Sequence, residues 1–248
     1  MVHPTTIRMN AALEYGRREP EIDGDQQLVA RGVKRRAPLW LKTGFWVSIV
    51  IAVAAALRRF IALLHPSQAG PPAVAALDAA FASHAALTFV HIIFATAFVL
   101  VAPLVLFRAP KSDLWERLLF PLGAIVGITA YAMSIPAFGG WVERSAVLLF
   151  NSVFLFSMAR AYLYTRAGES FQKMRWLTRA VGILLGIATT RPVMGIFFAT
   201  SRWTHLEPRQ FFGVAFWIGF SINTIVVELW LRSGRQMRGG GAGALESV

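Results

Sequence analysis

Apolar residues gather in long blocks separated by short charged or turn-rich stretches. Crossing about 30 Å of hydrocarbon at about 1.5 Å per residue takes about 20 mostly apolar residues in a helix. Six blocks meet that length: Leu39 to Phe60, Ala85 to Phe107, Leu118 to Phe138, Ala146 to Tyr164, Leu177 to Thr200 and Phe211 to Leu231. The first is weakened at its far end by Arg58 and Arg59, and the second is the cleanest. The pattern predicts an all-α integral membrane protein, a six-helix transmembrane bundle over 39–231. An Ala-rich stretch, Ala73 to Phe81, is expected to form a short interfacial helix after the turn-rich segment Gln68 to Pro72.

The flanks read differently. Residues 1–38 are rich in charge and poor in apolar periodicity, as in a disordered or surface-lying arm. The tail, 232–248, contains Gly239-Gly240-Gly241, which costs ordering entropy and buries nothing, so it is expected to be flexible. About forty residues precede the first block, too long for the short basic head of a cleaved signal, so that block is read as a retained helix. No internal repeat is visible, which removes the usual inverted-repeat mark of a transporter.

Charge placement supports the same count. The arm carries Arg8, Arg17, Arg18, Arg31, Lys34, Arg35, Arg36 and Lys42, whereas the first loop, His65 to His84, carries no Lys or Arg. The next loops hold Arg108, Lys111 and Arg117; then Arg144; then Arg166, Lys173 and Arg175; then Arg202 and Arg209. The tail holds Arg232, Arg235 and Arg238. Loops alternate rich and poor, and the positive-inside bias then places both termini in the cytoplasm, the expected membrane being a bacterial inner membrane. Trp40, Trp115, Trp141, Trp176, Trp203 and Trp230 fall near block ends, where an indole prefers the headgroup region.

Composition agrees. Of 248 residues, 56% are hydrophobic and 15% charged, and the mean hydropathy is +0.53. The formal net charge of +12 would by itself point to nucleic acid, but its distribution makes it an orientation signal. The expected partner is the lipid bilayer, with other membrane subunits as a further possibility and no nucleic acid. The chain has no Cys, which rules out disulfides, iron–sulfur clusters and thiolate nucleophiles. It shows no phosphate-cradling glycine loop, no His-Glu-x-x-His helix and no serine elbow, so no catalytic residue is assigned.

Ionisable residues inside spans are the default functional candidates, because hydrocarbon penalises an unpaired charge. Arg160 lies near a helix end, where its stem can snorkel. Glu228 stands four residues before Arg232 on one helical face, the spacing of an ion pair, and it is the one acidic residue expected within a span. Arg191 lies about 21 Å into its helix by rise per residue, so it requires a partner. Its neighbours Thr189, Thr190 and Pro192 predict a polar, kinked patch facing the bundle interior. His91 follows His84 by seven residues, which puts both rings on one face about 10 Å apart, too far for one haem iron. By depth, His91, Tyr131, Arg191 and Asn223 would line one outward-opening pocket, with Thr189 beside them.

The second half also carries a resemblance. The run Lys173-Met174-Arg175-Trp176-Leu177-Thr178-Arg179, then Thr189-Thr190-Arg191, then Asn223, Glu228 and Trp230, resembles motifs of a domain-of-unknown-function family, numbered twenty-three-oh-six, of bacterial polytopic membrane proteins. His91, Ala102-Pro103 and Gly139-Gly140 fit it as well, and the likeness covers roughly Leu87 to Arg232. Within it, Trp176, Arg179, Glu228 and Arg232 read as structural or ion-pairing residues. The chain departs from the family at Leu114-Trp115-Glu116-Arg117 and Gln172-Lys173-Met174, where members commonly carry a His. The resemblance brings no activity with it.

Three functional readings follow. The first is a non-catalytic ligand-binding module or accessory subunit of a membrane bioenergetic complex, with Arg191 and Asn223 on a polar or anionic head. The second is an electron-transfer protein holding a b-type haem or a quinone, with His91 as axial ligand or hydrogen-bonding group. The third is a small-molecule transporter hinged at Pro192.

Overall fold

The computed structural model describes residues 38–65, 72–107 and 112–243. Residues 1–37 of the N-terminal arm and 244–248 of the tail lie outside the described residues. The chain divides into two units, Met1–Lys42 and Thr43–Val248, and the contacts below are those of the second. Among the described residues every element is a helix: α1 (Leu39–Leu64), α2 (Pro72–Ala82), α3 (Ala85–Leu106), α4 (Ser112–Ser134), α5 (Gly140–Arg166), α6 (Ser170–Leu184), α7 (Gly186–Thr204) and α8 (Pro208–Gly243). With α6 and α7 taken together as one crossing, six helices are long and apolar enough to span a membrane.

The core is built where α3, α4, α5, α6 and α8 meet, around Phe98, Leu119, Phe154, Leu177 and Phe212. Phe98 and Phe154 close it edge to face with ring centroids 5.6 Å apart. Outside it, large apolar side chains such as Val50, Leu100, Ile128, Phe156, Ile196 and Ile225 are exposed along the helices. An exposed apolar surface of that extent suits lipid, since monomeric soluble proteins rarely expose apolar patches beyond a few hundred Å². Helix α1 packs least closely, with 11% of its most apolar window buried against 44% for the α6–α7 crossing. It meets the rest through side chains, Phe45 against Phe107 and Phe60 against Phe89.

Several helix ends differ from the sequence expectation. α4 runs Ser112–Ser134 rather than 118–138, and α5 starts at Gly140 rather than Ala146; both helices begin with a polar first turn that interrupts the apolar pattern. Glu143 explains the second case. Its Oε2 accepts the Gly139 backbone N–H at 2.6 Å, closing the first turn of α5 with a side-chain acceptor. Gly140 has φ +65°, the left-handed region that a turn into α5 requires and that glycine adopts without strain. Glu116 and Glu143 both lie in spanning helices and are buried, so Glu228 is not alone there. The last helix continues past Leu231 to Gly243, through the glycine run, where the sequence placed a flexible tail; helical continuation keeps its backbone groups bonded within the chain.

The expected kink at Pro192 is instead a break about two turns earlier, at Leu185 between α6 and α7. The Ala188 N–H bonds back to Leu185 O at 2.9 Å, a tightened turn in place of the regular ladder. Pro192 has no N–H for the carbonyl of Ala188 and crowds it, which disfavours a straight ladder through this stretch. The break lets Gly186 nestle against Phe220 of α8, with a Cβ there falling 2.9 Å from the Phe220 Cα.

Candidate functional site

A cavity of about 240 Å³ lies between α1, α2, α3, α4, α5, the α6–α7 crossing and α8. Its wall is mostly apolar, with Val99, Val126, Phe150, Phe154, Ile183 and Phe216 contributing. Alternating traverses put the end of α1 and the starts of α3, α5 and α8 on one membrane face, and the cavity lies toward that face. The ionisable side chains on its wall are Arg59, His84, His91, Glu143 and Arg191.

Arg59 is 8% exposed. It is paired with Asp78 of α2, and its Cζ sits 4.1 Å from the centroid of Phe81. Asp78 also takes Arg58 Nη2 at 3.1 Å, so one carboxylate of α2 ties down two arginines of α1. Arg191 differs. Among the described residues it makes no hydrogen bond, ion pair or ring contact, and its Nε is buried without a partner. The Arg59 and Arg191 charges are close enough to repel each other, and Arg58 adds to the field on Arg191. The cavity thus holds two guanidiniums of which one is unmatched.

The acceptors on the wall are also unmatched. His91 Nδ1 lies 2.8 Å from Thr129 Oγ1. The single hydroxyl proton of Thr129 goes to the Ile125 and Val126 carbonyls, at 2.8 and 3.0 Å. Thr129 therefore accepts from His91 Nδ1–H, which leaves Nε2 of a neutral ring as an acceptor. In the same way His84 Nδ1, 2.9 Å from Ser83 Oγ, donates to a hydroxyl already committed to Ala80 O. Glu143 uses Oε2 on the Gly139 N–H, and among the described residues its Oε1 makes no hydrogen bond.

Of the side chains expected in one pocket, the structure brings His91 and Arg191 to the cavity wall and places the other three elsewhere. The Tyr131 hydroxyl donates to Ser152 Oγ at 2.7 Å and joins α4 to α5, since Ser152 gives its own proton to Leu148 O. Asn223 stitches the α6–α7 break: Nδ2 donates to Gly182 O at 3.2 Å, and Oδ1 accepts from Thr189 Oγ1 at 2.7 Å. Gly182 is in the last turn of α6, where carbonyls lose their helical partners, so Asn223 supplies a missing donor. Depth alone had grouped these residues, and depth is blind to which way a side chain leaves its helix.

Two further clusters lie in the half away from α2. Arg179 forks onto Glu228, Nε to Oε2 at 2.9 Å and Nη2 to Oε1 at 3.3 Å, and Arg232 Nε adds 3.0 Å. Trp176 lies beside both Arg179 and Arg160, their Cζ atoms 4.5 and 5.6 Å from its ring, and Arg160 donates to the Tyr164 hydroxyl at 2.7 Å. Glu116 is held by Lys173 Nζ at 2.8 Å and Thr165 Oγ1 at 2.9 Å.

Sequence reasoning missed Asp78, Arg59, Glu143 and Glu116. The usable signal for Asp78 was an acid in a loop without Lys or Arg, facing the paired Arg58 and Arg59 at the end of the preceding span. Among the described residues no group of three or more His, Asp or Glu is arranged to hold a metal ion. Comparison with protein-family models, with curated proteins and with solved structures finds no match to this chain.

Proposed function

We propose that this protein is a membrane-embedded, non-catalytic binding module for an amphiphile whose head carries an anionic group. One observation carries the reading: Arg191, a cation with no partner, on the wall of a mostly apolar cavity. A buried charge left unpaired costs several kcal/mol, so the site is complete only when an anion arrives. A phosphate or carboxylate takes up guanidinium donors readily, and Arg59 stands on the same wall to share it. The volume is that of a head group with its first methylenes, and the chains leave along the loosely packed α1.

Native mass analysis in mild detergent tests this. The wild type is expected to retain one lipid-sized adduct per chain and Arg191→Gln to lose it; equal retention by both would sink the role of Arg191.

The orientation belongs to the same proposal. Both termini lie in the cytoplasm of a bacterial inner membrane, supported by the Lys and Arg distribution. The chain has no native Cys, so single cysteines placed at Ser67 and at Ser170 report sidedness without background. Labelling by an impermeant maleimide from outside is expected at position 67 and not at 170, and the reverse would invert the topology.

A redox reading has one observation in its favour, the free Nε2 of His91 on the cavity wall. It is the atom a haem iron would take. An oxidised-minus-reduced absorption spectrum decides: a Soret band lost in His91→Ala supports haem, and a protein without that band is not a haem protein.

A further inference from the structure

The cavity asks for more than an anion. Its unmatched groups are of two kinds: donors on Arg191, and acceptors at Glu143 Oε1 and His91 Nε2. An anionic head alone satisfies the first and leaves a carboxylate oxygen and an imidazole lone pair without partners. A carboxylate beside a bound phosphate without a counter-charge is repulsive in low dielectric. From this we infer that the ligand is zwitterionic, carrying an ammonium group that Glu143 Oε1 receives while its phosphate or carboxylate goes to Arg191 and Arg59.

Position along the membrane normal supports this. Glu143 lies in the first turn of α5, close to the membrane face on which the cavity lies. Arg59 sits in the last turns of α1, and Arg191 lies deeper, in the second turn of α7. From that face inward the order is carboxylate, paired arginine, free arginine, with the apolar Ile183, about two turns before Arg191 on the same crossing, deeper still. An aminophospholipid entering head-outward presents ammonium, phosphate and chains in the same order. The cap on α5 leaves room for this role, since Gly139 occupies only one of the two carboxylate oxygens.

This inference rests on the binding reading above and can fail separately from it. The probes are dioleoyl phosphatidylethanolamine and dioleoyl phosphatidylglycerol, offered at equal amounts in mixed micelles, with retained lipid read by native mass analysis. The two heads share a phosphodiester and differ in the ammonium. An ammonium–carboxylate hydrogen bond predicts a preference for the ethanolamine lipid of about tenfold or more in the wild type, falling toward parity in Glu143→Gln. The amide oxygen of Gln can still cap Gly139, so the variant keeps the first turn of α5, and the wild-type preference is read without any variant at all.

A third arm adds excess glycerophosphoethanolamine. If it displaces the lipid, the same zwitterionic chemistry belongs to a soluble ligand; if it does not, the chains are part of what is recognised. Equal retention of the two lipids by the wild type, or an unchanged preference in Glu143→Gln, overturns the ammonium assignment and leaves the anion site standing. Retention of neither lipid, with no binding of glycerophosphoethanolamine, overturns both.

Discussion

Lys173 Nζ lies 2.8 Å from Glu116 Oε2, which joins the start of α6 to the start of α4. Both side chains are largely buried, 18% and 10% exposed, and Thr165 of α5 gives its hydroxyl to the other oxygen. Removing one partner leaves a buried charge without its counter-charge. Lys173→Met is expected to cost on the order of 2–4 kcal/mol, whereas Glu116→Met with Lys173→Met together recovers most of that loss. Thermal unfolding in detergent checks it: a double variant less stable than the single one would mean that the pair is not coupled.

The six crossings were legible in the sequence because hydrocarbon thickness is read directly as block length. Their ends were not, since Glu116 and Glu143 each stand near a helix start as an acidic residue that finds a partner, Glu143 in its own first turn and Glu116 on α5 and α6, and a hydropathy window scores both as loop. Arg191 was legible as an anomaly by depth alone. The break at Leu185 was hidden because Pro192 is visible in a sequence and the compensating Asn223 bond to Gly182 O is not. Tyr131 and Asn223 share a depth with Arg191 but leave their helices toward other neighbours, and direction depends on the packing of all six crossings at once.

Asn223 and Arg191 are therefore expected to separate on mutation. Asn223→Leu removes a donor from Gly182 O and an acceptor from Thr189 Oγ1, which costs about 1–3 kcal/mol of stability through buried groups left unsatisfied. The lipid adduct is expected to survive, because Asn223 is not on the cavity wall. Adduct mass together with the unfolding midpoint tests both halves, and loss of the adduct in a folded Asn223→Leu protein would place this residue in the ligand site after all.

Two glycines predict opposite signs. A Cβ on Gly213 would meet Glu143 N at 2.5 Å and Val142 C at 2.9 Å, both backbone atoms that cannot swing away. Gly213→Ala is therefore expected to push α8 from α5 and destabilise by about 1–3 kcal/mol. Gly195 in α7 has nothing within 4 Å of its would-be Cβ, so Gly195→Ala gains helix propensity, up to about 1 kcal/mol. Unfolding midpoints that move the same way in both variants would contradict the α5–α8 contact.

Arg191 sets function against stability. Without ligand its guanidinium has no partner among the described residues and its Nε is buried, the kind of group whose replacement by an apolar side chain stabilises a fold. In lipid-depleted detergent, Arg191→Leu is expected to unfold at a higher temperature than the wild type. Adding phosphatidylethanolamine then raises the wild-type midpoint, because a ligand that binds only the folded state stabilises it by mass action, and leaves Arg191→Leu unmoved. The two curves are expected to cross as lipid is titrated. A wild type that is already the more stable without lipid, or a variant that gains as much from lipid as the wild type does, would show that Arg191 is satisfied from within the bundle and that the cavity has no need of an anion.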